Sequence, residues 1–170
     1  MNHTPSTMDS GRSGAPQESR RVALFAGSFD PFTIGHKSIV DRGMEIFDEI
    51  VIGIGVNSGK KGRHTPAERL ADIERIFADE PRVKAMTYSD LTIQAASRVG
   101  ARFLLRGVRT VQDFEYERQL ADINRNLSGI ESVLIYALPG LASVSSSMVR
   151  ELESYGAVSY THLRAHETSA

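Results

Sequence analysis

Ile50-Val51-Ile52-Gly53-Ile54-Gly55-Val56 carries no polar side chain at any of its positions. A run that does not alternate has no face to offer water, so as a strand it must be covered on both sides. A parallel sheet between two layers of helices meets that demand. Val22-Ala23-Leu24-Phe25-Ala26 has the same character. It is followed by Gly27-Ser28-Phe29-Asp30-Pro31-Phe32-Thr33-Ile34-Gly35-His36, and then by apolar Ile39, Val40, Met44, Ile46 and Phe47 at helical spacing. A glycine-containing turn thus joins the end of a first strand to the start of a first helix. In an open α/β sheet that crevice is where ligands bind. A helix N-terminus there presents unpaired N–H groups and the positive end of its dipole, which suits phosphate.

The remaining pattern repeats strand and helix. The spacing predicts a first helix over 34–47. A polar loop, 57–64, precedes a helix that Thr65 caps, with Pro66 at its first position, Glu68 closing a capping box, and Leu70, Ile73, Ile76 and Phe77 as its stripe. A strand over 83–88, a helix over 92–99 ending near Gly100, and a strand over 102–105 follow. Asp113 is placed to cap a long helix over 114–127. A strand over 132–137 and a helix over 146–154 complete the series, with Gly156 just past the end. The expected fold is α/β: a Rossmann-like open five-stranded parallel sheet with helices on both faces and right-handed connections. This domain spans 21–156. Residues 1–20, rich in Ser, Gly, Pro and Thr, read as a disordered extension or an added leader. Residues 157–170 read as an atypical, non-native tail. His162 and His166 stand there at i, i+4, but no third ligand accompanies them, so no metal site is expected.

Composition narrows the function classes. The chain has 170 residues and a formal net charge of −1, so bulk electrostatics draws it to neither nucleic acid nor an anionic membrane. With no cysteine, disulfides, thiolate zinc sites and cysteine nucleophiles are excluded. No apolar run approaches the ~20 residues of a membrane span. A cytoplasmic protein is the expectation.

Charged and polar residues gather just past the strand ends: Ser28 and His36 after the first, Lys60 after the second, Arg106 and Arg109 around Gly107 after the fourth, and Ser145-Ser146-Ser147 before the last helix. In a parallel sheet these converge on one edge. Three cations with a hydroxyl-rich helix start make a clamp for a polyphosphate. Each residue also has an ordinary reading. His36 alone can cap or pack. Ser145–Ser147 can be an N-cap. Lys61 solvates its loop, and Asp30 before Pro31 is turn chemistry. Arg106, at the end of an apolar strand, calls for an anion.

Gly27-Ser28-Phe29-Asp30-Pro31 with Thr33-x-Gly35-His36 resembles the first signature of the nucleotidyltransferases with a His-x-Gly-His-type motif. Val144-Ser145-Ser146-Ser147-x-Val149-Arg150 resembles their second. Arg106-Gly107-Val108-Arg109, then Asp113-Phe114-Glu115-Tyr116-Glu117, is similar to the phosphopantetheine adenylyltransferase family within them. Four ordered motifs over one domain are far more specific than one Thr-x-Gly-His. The resemblance implies transfer of AMP from ATP to 4′-phosphopantetheine, giving 3′-dephospho-CoA and pyrophosphate in coenzyme A biosynthesis. It implies that His36, Lys60, Ser28 and Arg109 carry the catalysis. It puts ATP against Ser28, the Phe29 backbone, His36, Gly107, Val108, Arg109, Glu117, and the segment Leu141, Ala142, Ser143, Val144, Ser145, Ser146 and Ser147. It puts the acceptor against Ser28, Lys60, Leu91, Thr92 and Arg106. It further implies magnesium with the ATP, dephospho-CoA or CoA as product or feedback ligand, and a homohexamer. Neighbouring readings are a related nucleotidyltransferase with another phosphate acceptor, and a nucleotide-binding module impaired by the altered C-terminus.

Overall fold

In the computed structural model, residues 19–156 are described. The readings of residues 1–18 and 157–170 as extension and tail, His162 and His166 included, lie outside them. The apolar run beginning at Ile50 lies in β2 (Glu49–Gly55), paired with β1 (Val22–Gly27) on one side and β3 (Val83–Tyr88) on the other. β4 (Phe103–Val108) pairs with the free side of β1, and β5 (Glu131–Tyr136) with β4. All pairings are parallel and the order is β3-β2-β1-β4-β5.

Side chains alternate across the sheet and build two cores. Ala23, Phe25, Ile50, Ile52, Ile54 and Leu105 face one layer, where α1 (Ile34–Gly43) brings Ile39 and Val40 and α2 (Pro66–Ile76) brings Ile73. Val22, Leu24, Val51 and Leu104 face the other, where α3 (Thr92–Arg98) brings Ala95 and Ala96. α4 (Val111–Ser128) lies against β4 and β5, and α5 (Ser146–Ser154) closes the described chain. Each half of the sheet grows outward from its centre, so chain order reverses between β1 and β4. That switch point opens the crevice in which such sheets take ligands.

Thr65 and Glu68 form the expected capping box on α2, and Gly100 adopts φ +69° past α3. The predicted bounds shift most in three places. α1 stops at Gly43 rather than running to 47. A Cβ on Gly43 would stand 2.9 Å from both Ile50 and Leu105, so the helix rests directly on the sheet there. The chain then turns, with Phe47 N–H donating to the Gly43 carbonyl at 2.9 Å, and tucks Phe47 into the core. β4 extends to Val108, so Arg106 and Gly107 are strand residues. The N-cap of α4 is Thr110, whose hydroxyl accepts from Asp113 N–H at 3.1 Å; Asp113 itself lies inside the first turn.

Candidate active site

Past the C-terminal ends of β1 and β4 lies a cavity of about 400 Å³. The turn after β1 forms its floor. Phe29 holds φ +46°, uncommon for a residue with a side chain, and buries its ring against Phe25, Phe32 and His36 with centroids 5.0–5.3 Å apart. A Cβ on Gly27 would stand 2.9 Å from that ring, so only glycine lets the turn close so tightly.

His36 sits in the first turn of α1. Its Nδ1 accepts from Thr33 N–H at 3.0 Å, while Thr33 Oγ1 accepts from His36 N–H at 3.4 Å: a capping box with histidine as the returning partner. Because Nδ1 is the acceptor, the neutral ring carries its proton on Nε2 and is left to donate into the cavity. Burial among the phenylalanine rings, followed by the nearby Arg109 and Arg106, pulls the pKa from 6.5 to about 4. The free protein therefore presents a neutral N–H donor at pH 7.

Arg106 is part-buried on β4 and has its anion. Glu117, 7% exposed on α4, accepts from Arg106 Nε at 2.9 Å and Nη2 at 2.7 Å. Arg106 Nη1 donates to the Ala26 carbonyl. Glu117 is therefore not a surface residue; it fixes the orientation of Arg106. Asp113 does the same for Arg109, accepting from its backbone N–H at 3.1 Å and its Nε at 3.3 Å. On the far wall Ser145 caps α5 by accepting from Met148 N–H, and Ser146 Oγ donates to the Pro31 carbonyl at 2.8 Å. Arg150 Nη1 donates to the Asp30 carbonyl, joining α5 to the turn.

Two helix N-termini and three guanidinium groups thus border one space, against two carboxylates that are both paired with arginines. The arrangement suits a polyanion and leaves donors to orient it. Of the expected site residues, Ser28, Phe29, His36, Arg106, Gly107, Val108, Arg109, Glu117, Leu141, Val144, Ser145, Ser146 and Ser147 line the cavity. Ala142 and Ser143 belong to the covering segment but not to its lining. Lys60 is exposed on the loop after β2. Leu91 is 61% exposed, and the Thr92 hydroxyl meets Tyr88 Oη at 3.0 Å; neither lines the cavity. Asp30 is not simple turn chemistry: it is buried and accepts from Arg63 and His64.

Sequence reading gave no site role to Thr33, Asp113, Arg150, Arg69 or His64. The Thr33-x-x-His36 spacing is that of a capping box, and Arg150 lies inside the second signature, so both left a trace. Arg69 Nη1 donates to the Ser28 carbonyl at 2.7 Å across a long sequence gap that no local pattern reports. Among the described residues, no group of three or more His, Asp or Glu side chains is placed to hold a metal ion. With Asp113 and Glu117 both paired, the lining does not fit a resident magnesium ion. No helix among the described residues is long and apolar enough to cross a membrane.

Residues 24–152 match the family model described as Cytidylyltransferase-like, which contains the whole cavity lining. A phosphopantetheine adenylyltransferase of Phocaeicola vulgatus is 53% identical over 136 residues, covering 80% of this chain and 90% of that protein. The chain belongs to the phosphopantetheine adenylyltransferase family. A second member, from Porphyromonas gingivalis, is 49% identical and covers 81% of this chain and 90% of its own length. Membership makes the chain a nucleotidyltransferase. The fold reaches further than the family. A bifunctional NMN adenylyltransferase/ADP ribose pyrophosphatase from Francisella tularensis superposes with a TM-score of 0.65 at 12% identity, covering 87% of this chain and 46% of that one.

Proposed function

We propose that the cavity binds magnesium–ATP and the phosphate of 4′-phosphopantetheine, and transfers AMP between them. An oxygen of the acceptor phosphate attacks the α-phosphorus. The bond from that phosphorus to the bridging oxygen breaks, and pyrophosphate leaves with the electron pair, giving 3′-dephospho-CoA. Such a displacement needs positioned reactants and donors for charge developing on the phosphoryl oxygens, not a protein nucleophile. The observation that carries this reading is His36: a neutral ring, held at Nδ1 by the helix start, with its one remaining donor left for the cavity. Ser28 and the Phe29 backbone border the reacting phosphates, and Arg109 and Ser145–Ser147 hold the β- and γ-phosphates. Gly107 and Val108 form the wall for the nucleoside, with Leu141–Val144 as cover. Arg106, oriented by Glu117, takes the acceptor phosphate, Lys60 reaches over from its loop, and Leu91 and Thr92 meet the pantetheine arm. Magnesium arrives as part of the nucleotide substrate. Dephospho-CoA occupies the same groove as product, and CoA shares enough of it to act as a feedback ligand. The setting is the cytoplasm, and the active form is a homohexamer.

The test is pyrophosphate release from magnesium–ATP, with and without 4′-phosphopantetheine, for the chain and for His36→Ala. Release that requires the acceptor, and falls about 10²–10³-fold in the variant, is expected. Equal rates in the two proteins would overturn the role of His36. Release with another phosphate acceptor but not this one would overturn the substrate.

A further inference from the structure

The loop that carries Lys60 is exposed and basic, with Lys61 and Arg63 beside it, yet one buried carboxylate grips its far end. Asp30, 6% exposed, accepts through Oδ2 from Arg63 N–H at 2.7 Å. Through Oδ1 it accepts from His64 N–H at 3.1 Å and from His64 Nδ1 at 2.7 Å. Burial works to raise the Asp30 pKa, but the His64 ring and the two loop amides outweigh it and hold it below the usual carboxylate range. An ionised carboxylate only accepts, so His64 Nδ1 carries the hydrogen.

The approach is close enough to dictate its neighbour. A Cβ on Gly62 would stand 2.7 Å from Asp30 Oδ2 and 3.2 Å from the His64 carbonyl. The near end of the loop is turned separately. Asn57 Oδ1 accepts from Gly59 N–H at 2.9 Å, and the Asn57 carbonyl accepts from Lys60 N–H at 3.1 Å. Lys60 therefore lies between two ties, one within the loop and one to the first signature.

We propose that Asp30, acting through the His64 ring and the Arg63 and His64 amides, is a positioning residue that sets where Lys60 stands over the cavity. The contact joins the turn after β1, which carries Ser28 and leads into α1 with His36, to the loop after β2. It adds little to the apolar core. Its consequence is geometric, because an ammonium on a flexible stem stabilises a transition state only where its backbone is held. This rests on the reading of Lys60 as a group that acts on the phosphates.

The test is steady-state pyrophosphate release by His64→Ala, His64→Asn, Gly62→Ala, Lys60→Ala and the His64→Ala/Lys60→Ala pair, each at matched thermal stability. His64→Ala and Gly62→Ala are expected to lower kcat about 10- to 100-fold with KM for ATP unchanged. His64→Asn, whose amide can donate from near the place of Nδ1, is expected to restore most of the rate. In the Lys60→Ala background, His64→Ala is expected to cost nothing further. An unchanged kcat in both His64→Ala and Gly62→Ala overturns the proposal. So does an equal loss from His64→Ala with and without Lys60. Full activity in Lys60→Ala overturns instead the reading of Lys60 beneath it, and the two failures are thereby told apart.

Discussion

A histidine can meet a polyphosphate as a cation or as a neutral donor, and His36 is arranged for the second. Protonating Nδ1 would set two N–H groups against each other at the Thr33 backbone. The sign of the resulting pH dependence follows from a folded-state pKa of about 4 against 6.5. Between those values the unfolded chain takes up a proton that the folded chain refuses, so stability falls as pH drops through this window and falls no further below it. The full effect is at most roughly 3 kcal/mol. Urea unfolding at pH 7 and pH 5 checks it, comparing the chain with His36→Asn, whose side chain can still accept from Thr33 N–H. The unsubstituted chain is expected to lose more stability on acidification than the variant. Equal losses would show that the ring is not held neutral. Thr33→Ala removes the cap hydroxyl from the same helix start and is expected to cost about 1 kcal/mol.

Between elements, the Arg106–Glu117 pair is what ties α4 to β4 beside the cavity. Removing one member of a buried pair leaves the other uncompensated, so Glu117→Ala is expected to destabilise the fold by about 3 kcal/mol in urea unfolding. Replacing both with apolar residues is expected to recover stability but not turnover, because Arg106 is then missing from the site. A double variant no more stable than Glu117→Ala would mean that the loss reflects packing of Glu117 rather than its charge. This pair also marks where sequence reading reached its limit. Strands buried on both faces announced themselves as Ile50–Val56 and Val22–Ala26, and α2 buried the stripe its periodicity predicted. Arg106 showed that it needed an anion. The identity of that anion did not show, because the one residue α4 buries is the charged Glu117, while Tyr116, Ile123 and Leu127 stay exposed. The Asp30 contacts were illegible for a related reason: backbone amides on a distant loop leave no residue-type signature. Motif spacing located the turn, the arginines and the serines of the site. It could not say which of them already held one another.

At the scale of the whole molecule, the outer surface of α4 calls for a partner. Tyr116, Leu120, Ile123 and Leu127 recur at spacings of four, three and four along it. Tyr116, Ile123 and Leu127 are 58%, 52% and 68% exposed, and Glu117 is the residue of this helix that is buried. A stripe at heptad spacing, open to water at Tyr116, Ile123 and Leu127 with Leu120 half-buried between them, is the pattern that packs helix against helix between subunits. It is the surface on which the proposed hexamer would be built. The cavity residues named above all lie on this one chain. Leu127→Glu is therefore expected to break the assembly into smaller species in sedimentation at micromolar concentration, and to lower its melting temperature. Turnover per chain, measured below that temperature, is expected to persist. An unsubstituted chain that sediments as a monomer at every concentration would remove the hexamer from the proposal. An assembly that survives Leu127→Glu and a matching Ile123→Glu would place the subunit contact on another surface, leaving the exposure of α4 without its explanation.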